Sequence, residues 1–178
     1  MRHLGKILVL SAVVALGGCQ SFYPTAPALA APLWQAQSYQ RQDQVEIQWK
    51  SQSFSFLLYQ QQQGKNLSLL GLSLTGQVLF KLNFDGKRVK VEQRIPQMRL
   101  LPFEFVVRDI LFATYPNFIQ YGQNNVAIQQ QHDTTQVAIA KQHVLTIVQQ
   151  PNQIQLENLH VPYTMVFSPI AEALQTGN

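Results

Sequence analysis

The chain has 178 residues, with 13 Lys and Arg against 9 Asp and Glu, and charged side chains make up only 12% of it. That is room for one domain of ordinary size, and the mild excess of cations argues against a nucleic-acid partner. A single cysteine excludes an intrachain disulfide, so an oxidising compartment contributes nothing to stability by that route.

The chain opens on a short basic start, Arg2, His3 and Lys6, followed by a mostly apolar run from Ile7 to Leu16 and then Leu16-Gly17-Gly18-Cys19. This is the layout of a secretory signal peptide. The apolar run falls well short of the roughly 20 residues needed to span a bilayer. The run ending at Cys19 resembles the bacterial lipobox. That resemblance implies acylation of the Cys19 thiol, cleavage between Gly18 and Cys19, and a mature protein held to a membrane by its N-terminal lipid. An ordinary signal peptide is the alternative. Several acyl chains at about 0.8 kcal/mol per buried methylene anchor stably where one does not. Gln20 stands where an aspartate would retain a Gram-negative lipoprotein in the inner membrane. The resemblance therefore implies passage through the lipoprotein-sorting machinery to the periplasmic face of the outer membrane. Beyond residue 18 there remain 11 Lys and Arg against 9 Asp and Glu. The isoelectric point of about 9.3 then reflects a shortage of charge rather than a basic patch.

Residues 19–32 carry Pro24, Pro27 and Pro32 and no hydrophobic period, which disfavours a helix. This segment reads as a lipidated N-terminus and flexible tether, with 33–178 as the folded domain. Its thirteen residues from Gln20 to Pro32 reach at most about 45 Å if fully extended.

Past Leu33 the pattern is mostly period two, the mark of strands with one buried face. It runs through Phe54, Phe56 and Leu58, then Leu70 and Leu72, then Val78, Phe80, Leu82 and Phe84, then Val89 and Val91. Gly64-Lys65-Asn66, Thr75-Gly76 and Asp85-Gly86 interrupt it, and Asp-Gly between alternating runs is a strong hairpin signal. Residues 45–94 therefore read as an antiparallel meander. The 27 glutamines supply an uncharged polar strand face.

Pro102 then introduces a stretch from Phe103 to Tyr115 with Val106, Val107, Ile110 and Leu111 at helical spacing, ended by Pro116. Glu104 precedes Arg108 by one turn, the favourable order. Asp109 follows Arg108, and an ion-pair or capping role fits it better than catalysis. Period two returns over Val126–Gln131, Gln136–Lys141, Val144–Gln149, Ile154–Asn158 and Tyr163–Phe167. Nine or ten strands with one main helix make an α+β plan, an antiparallel sheet with the helix on one face.

Two stretches carry a further resemblance: Gly71-Leu72-Ser73-Leu74-Thr75-Gly76-Gln77-Val78-Leu79-Phe80 with Phe84-Asp85-Gly86, and Leu100-Leu101-Pro102 with Arg108-Asp109-Ile110-Leu111-Phe112-Ala113 and Tyr115-Pro116. They resemble uncharacterised proteobacterial lipoproteins of aryl-polyene biosynthesis clusters. That family is similar in plan to LolA and LolB, the periplasmic carrier and outer-membrane receptor of lipoproteins. The resemblance implies a curved, half-open antiparallel β-barrel with the helix covering its concave face. Gln60 to Asn66 is polar and Thr75-Gly76 is tight, so no counterpart of the apolar membrane-inserting loop of LolB is evident.

No catalytic or metal site is legible. His132, His143 and His160 do not pair at one-turn spacing or join a cysteine, and His132-Asp133 reads as a turn. There is no nucleophile elbow, no dinucleotide fingerprint and no phosphate loop, and no cofactor is expected. The residues expected to line an apolar cavity, if the resemblance holds, are Phe54, Phe56, Leu58, Phe80, Leu82, Phe84, Val106, Ile110 and Ala113. The expected function is non-enzymatic binding of acyl or polyene-like apolar groups by an outer-membrane lipoprotein, assisting their transfer or placement. The alternative is a scaffold lipoprotein that recruits periplasmic partners through a strand edge.

Overall fold

The computed structural model describes residues 26–99 and 101–170. Ten antiparallel strands form one curved sheet that does not close: β1 (Gln37–Trp49), β2 (Gln52–Gly64), β3 (Asn66–Leu72), β4 (Val78–Phe84), β5 (Val89–Arg94), β6 (Val126–Gln131), β7 (Thr134–Ile139), β8 (Gln142–Gln150), β9 (Gln153–Asn158) and β10 (Tyr163–Pro169). Their order is β5-β4-β3-β2-β1-β10-β9-β8-β7-β6. Two meanders thus run outward from the central β1–β10 pair, in which Val45 faces Phe167 and Ile47 faces Met165. The connection between the two edge strands, β5 and β6, carries α1 (Phe103–Thr114), the one α-helix among the described residues. The chain therefore spans the open side of the half-barrel with its helix.

The hairpins form where the turn residues dictate. The Asp85 carboxylate accepts the backbone N–H groups of Lys87 at 2.8 Å and Arg88 at 3.0 Å, which closes the β4–β5 turn. His132 sits at φ 53° in the β6–β7 turn, the structural role its sequence context indicates. Ala140 and Lys141 both have positive φ and make a two-residue turn. The period-two reading had carried a strand through these two positions. β1 also begins earlier than its apolar alternation, at Gln37, because Gln37 to Gln42 pair with the polar end of β2.

Helix α1 starts directly after Pro102 and stops before Pro116, with the Tyr115 N–H bonded to the Leu111 carbonyl at 3.0 Å. An amphipathic surface helix would bury one stripe. This one buries Phe103, Val106, Val107 and Ile110 against the sheet, and Arg108 and Asp109 besides. A strap, residues 26–34, packs against Arg108 and the start of the helix, while Asn158 and Tyr163 beside the β9–β10 turn enclose Asp109. The Ala26 N–H donates to Glu104 Oε2 at 3.1 Å, and the Arg108 guanidinium donates to the Pro27 carbonyl at 3.3 Å. Farther along, the Ala31 N–H meets the Gly86 carbonyl at 2.8 Å and the Leu33 N–H meets that of Tyr121 at 2.9 Å. Ala26, Leu29, Ala31 and Trp34 are all buried in the core.

The flexible tether expected over 19–32 is thus corrected for residues 26–32, and the domain begins at or before Ala26 rather than at 33. The prolines forbid a helix, as read, but an extended segment with two β-turns can still bury small and apolar side chains. Cys19, Gly18 and Gln20 lie outside the described residues.

Candidate functional site

An apolar crevice lies between the first turns of α1 and the concave face of β1, β2, β4 and β10. Ile47 and Trp49 of β1 and Phe54 and Phe56 of β2 form one wall, and Phe103 and Val106 of α1 form the other. Phe80, Met98, Leu101, Val161, Tyr163 and Met165 complete it. No charged side chain of the described residues lines it, and its free volume is about 30 Å³. That is room for one or two waters, well below the roughly 300 Å³ of a small-molecule pocket.

Of the residues expected to line a cavity, Phe54, Phe56, Phe80 and Val106 do so. Leu58, Leu82, Phe84, Ile110 and Ala113 do not line it and are packed core, none more than 5% exposed. The correction has a physical cause: side chains of the sheet, the strap and the later turns of α1 meet in one buried core, which leaves no lining space there. Space survives only at the N-terminal turns of the helix. There, Phe80 lies over β3 because residue 71 is glycine; a Cβ at Gly71 would fall 2.4 Å from Phe80 Cε1. The Phe80 ring meets Phe56 and Phe103 at centroid distances of 5.5 Å each. Sequence reading missed Trp49, Leu101, Tyr163 and Met165. The alternations Val45-Ile47-Trp49 and Tyr163-Met165-Phe167 held the signal, but nothing local says that β1 and β10 are neighbours.

Behind the crevice wall sits a buried polar network. The Arg108 Nε donates to Asp109 Oδ1 at 2.7 Å, and the Asn158 side-chain amide donates to Asp109 Oδ2 at 2.6 Å. The Tyr163 hydroxyl donates to the same Oδ2. Asn158 Oδ1 in turn accepts the backbone N–H groups of His160 and Val161, both at 2.9 Å. The network clamps α1 to the β9–β10 turn. Burial raises the Asp109 pKa, against the lowering effect of the Arg108 charge and the hydrogen bonds from Arg108, Tyr163 and Asn158. Burial, then the Asp109 charge, raise that of Tyr163. Tyr163 thus shows the crevice its ring and spends its hydroxyl behind it.

The other end of the helix is held by glutamine. Gln60 and Gln62 face the core and are at most 1% exposed, so these two depart from the solvent-facing role read from the sequence. Gln60 Nε2 donates to Thr114 Oγ1 at 3.0 Å, while Gln62 Nε2 donates to the Gln35 and Gly64 carbonyls at 3.0 and 2.8 Å. The Tyr115 hydroxyl donates to Gln62 Oε1, and burial pushes the Tyr115 pKa up to about 12. Neutral amides can be buried once each atom is paired, at far smaller cost than charges.

Beside the crevice, a groove of about 450 Å³ runs between the edge strand β5 and the start of α1, lined by Val91, Arg94, Glu104 and Phe105 among others. It is wider and more polar than the crevice, and it shares Leu101, Pro102 and Phe103 with it. Among the described residues β5 has one sheet neighbour, β4, and its other edge faces the groove.

A family model described as "Protein of unknown function (DUF3261)" matches residues 40–171. The chain belongs to the DUF3261 family. The DUF3261 match spans all but the start of β1, every other strand and α1, and omits the strap. Both walls of the crevice therefore lie within the DUF3261 region. A comparison with curated proteins gives no match.

Proposed function

We propose that this DUF3261 protein is a lipoprotein, anchored through Cys19 to the periplasmic face of the outer membrane, whose half-barrel takes up acyl or polyene-like apolar groups and assists their transfer or placement. The observation that carries the binding half of this reading is the uncharged crevice at the N-terminal end of α1. Apolar matter gains about 25 cal/mol per Å² buried there, with no covalent step required. The half-open sheet with a helix across its open side is also the plan that the LolA and LolB resemblance implies.

The crevice as it stands admits a chain terminus rather than a whole chain. Uptake of more requires Leu101, Pro102 and Phe103 to move off the sheet toward the adjoining groove. The rest of the helix, fixed midway by the Arg108–Asp109 pair and at its C-terminal end by Thr114, stays in place. Native mass spectrometry of protein purified from membranes tests the reading, with a co-purifying apolar species expected.

The scaffold reading is favoured by a different observation, the edge of β5, which pairs with no further strand among the described residues, beside a groove open enough for an extended peptide. A protein that carries no lipid and captures none when offered it would leave that reading in place.

A further inference from the structure

The cations of this chain are not spread evenly, contrary to the composition-based reading of a shortage of charge without a basic patch. Lys65, Lys81, Lys87, Arg88, Lys90 and Arg94 lie on the β4–β5 hairpin and the neighbouring β2–β3 turn, where the only carboxylates are Asp85 and Glu92. The rest of the described chain carries five Lys and Arg against six Asp and Glu. The net positive charge of the described domain therefore belongs to this one edge.

The geometry keeps the turns together. The Trp34 indole N–H donates to the Lys65 carbonyl at 2.9 Å, and its ring lies on Gly86, where a Cβ would come within 2.6 Å of it. Asn66, Arg88 and Lys90 line one shallow polar depression. Lys81 is paired with Glu92 at 3.0 Å, and Arg88 reaches Asp85 only at 3.9 Å. Lys65, Lys87 and Lys90 are exposed and make no ion pair among the described residues.

We propose that this edge is a docking face for the anionic headgroup layer of a lipid surface. Its cations are spread over a hairpin rather than set in a channel. The hairpin aromatics, Phe80 and Phe84, are buried at 2% and 0% exposure, so no ring is offered for base stacking as in single-strand nucleic-acid sites. A smeared anionic layer asks only for exposed cations, each contributing about a fivefold gain in partition. The strap also crosses this turn, through Ala31 and Trp34, on its way into the fold. The charge of this edge is the same whether or not Cys19 is acylated.

The test is flotation of the chain from Gln20 onward, which keeps every described residue and lacks the acyl anchor. It is mixed with vesicles of phosphatidylcholine alone or of phosphatidylcholine with phosphatidylglycerol as the anionic lipid. Binding to the anionic vesicles alone, lost as salt is raised, is expected. Lys87→Gln with Lys90→Gln should lower partition about 25-fold by the same per-residue increment. Lys50→Gln with Lys141→Gln, which removes the same net charge elsewhere, should leave it unchanged. Urea midpoints of both pairs, expected to match that of the wild type, keep folding out of the comparison. Equal partition to neutral vesicles, no partition to either, or equal effects of the two pairs would overturn the proposal. Tighter binding to a DNA duplex at matched phosphate would replace the lipid surface with nucleic acid.

Discussion

Arg108 and Asp109 are consecutive on α1, yet their side chains fold back on each other with 2.7 Å between Nη2 and Oδ1, and exposures of 2% and 0%. A buried pair of this kind is costly to form and far costlier to break, because the survivor is an uncompensated charge. Asp109→Ala is expected to lower stability by about 3–5 kcal/mol, with Tyr163 and Asn158 losing their acceptor too. Replacing both residues, by Arg108→Met with Asp109→Leu, should cost less than the single change. Urea unfolding of the three proteins checks the order.

The same carboxyl fixes a pH dependence. Its folded pKa is raised above the ordinary value of 3.8, mainly by burial. The folded state thus binds this proton more tightly than the unfolded chain, and the contribution of Asp109 to stability is fully present below the unfolded pKa. It falls as pH rises from there through the folded pKa. The stability of the wild type relative to Asp109→Asn should therefore decline with rising pH across that window. A difference that instead grew with pH would place the folded pKa below 3.8.

The strap supplies a stability test that separates a packed segment from a tether. Leu29 is fully buried, and Leu29→Ala should cost about 2–5 kcal/mol, the range for a core leucine. A free tether would show no change in the urea midpoint.

Gly71→Ala places a methyl group against the Phe80 ring at a distance no real contact tolerates. The ring must swing away from β3 and toward the crevice. A loss of about 1–3 kcal/mol from overpacking is expected, along with weaker uptake of any apolar probe. Gly71→Ala with Phe80→Leu should recover part of both.

Anchoring is tested on the intact chain in a bacterial host. Fatty-acid label should appear on the wild type and vanish in Cys19→Ala, which should also persist as the unprocessed precursor. Label that survives the substitution would remove Cys19 as the acceptor.

Much of the fold was legible locally. Turn chemistry at Asp85-Gly86 and Pro116, and period two from Phe54 to Phe84, mark hairpins and helix ends through forces that act over a few residues. The β1–β10 pairing was not, since it joins residues more than a hundred positions apart through complementary faces alone. Gln60 and Gln62 read as surface because burial of an amide is set by distant partners such as Thr114 and Tyr115. Five of the nine residues expected to line the cavity proved to be core for a related reason. Period two identifies which face of a strand is apolar, but whether that face is filled depends on how closely the strap and helix approach it.

Acceptance of apolar groups by the crevice is measured by titrating an environment-sensitive apolar probe into the chain from Gln20 onward, with urea midpoints recorded in parallel. The account predicts one saturable site in the wild type, weakened at least tenfold by Leu101→Trp, which fills the crevice from its half-buried rim. It also predicts that Ala113→Trp, in the filled core, lowers the urea midpoint by overpacking while the folded fraction keeps its affinity. A well-folded wild type with no saturable probe binding would contradict it.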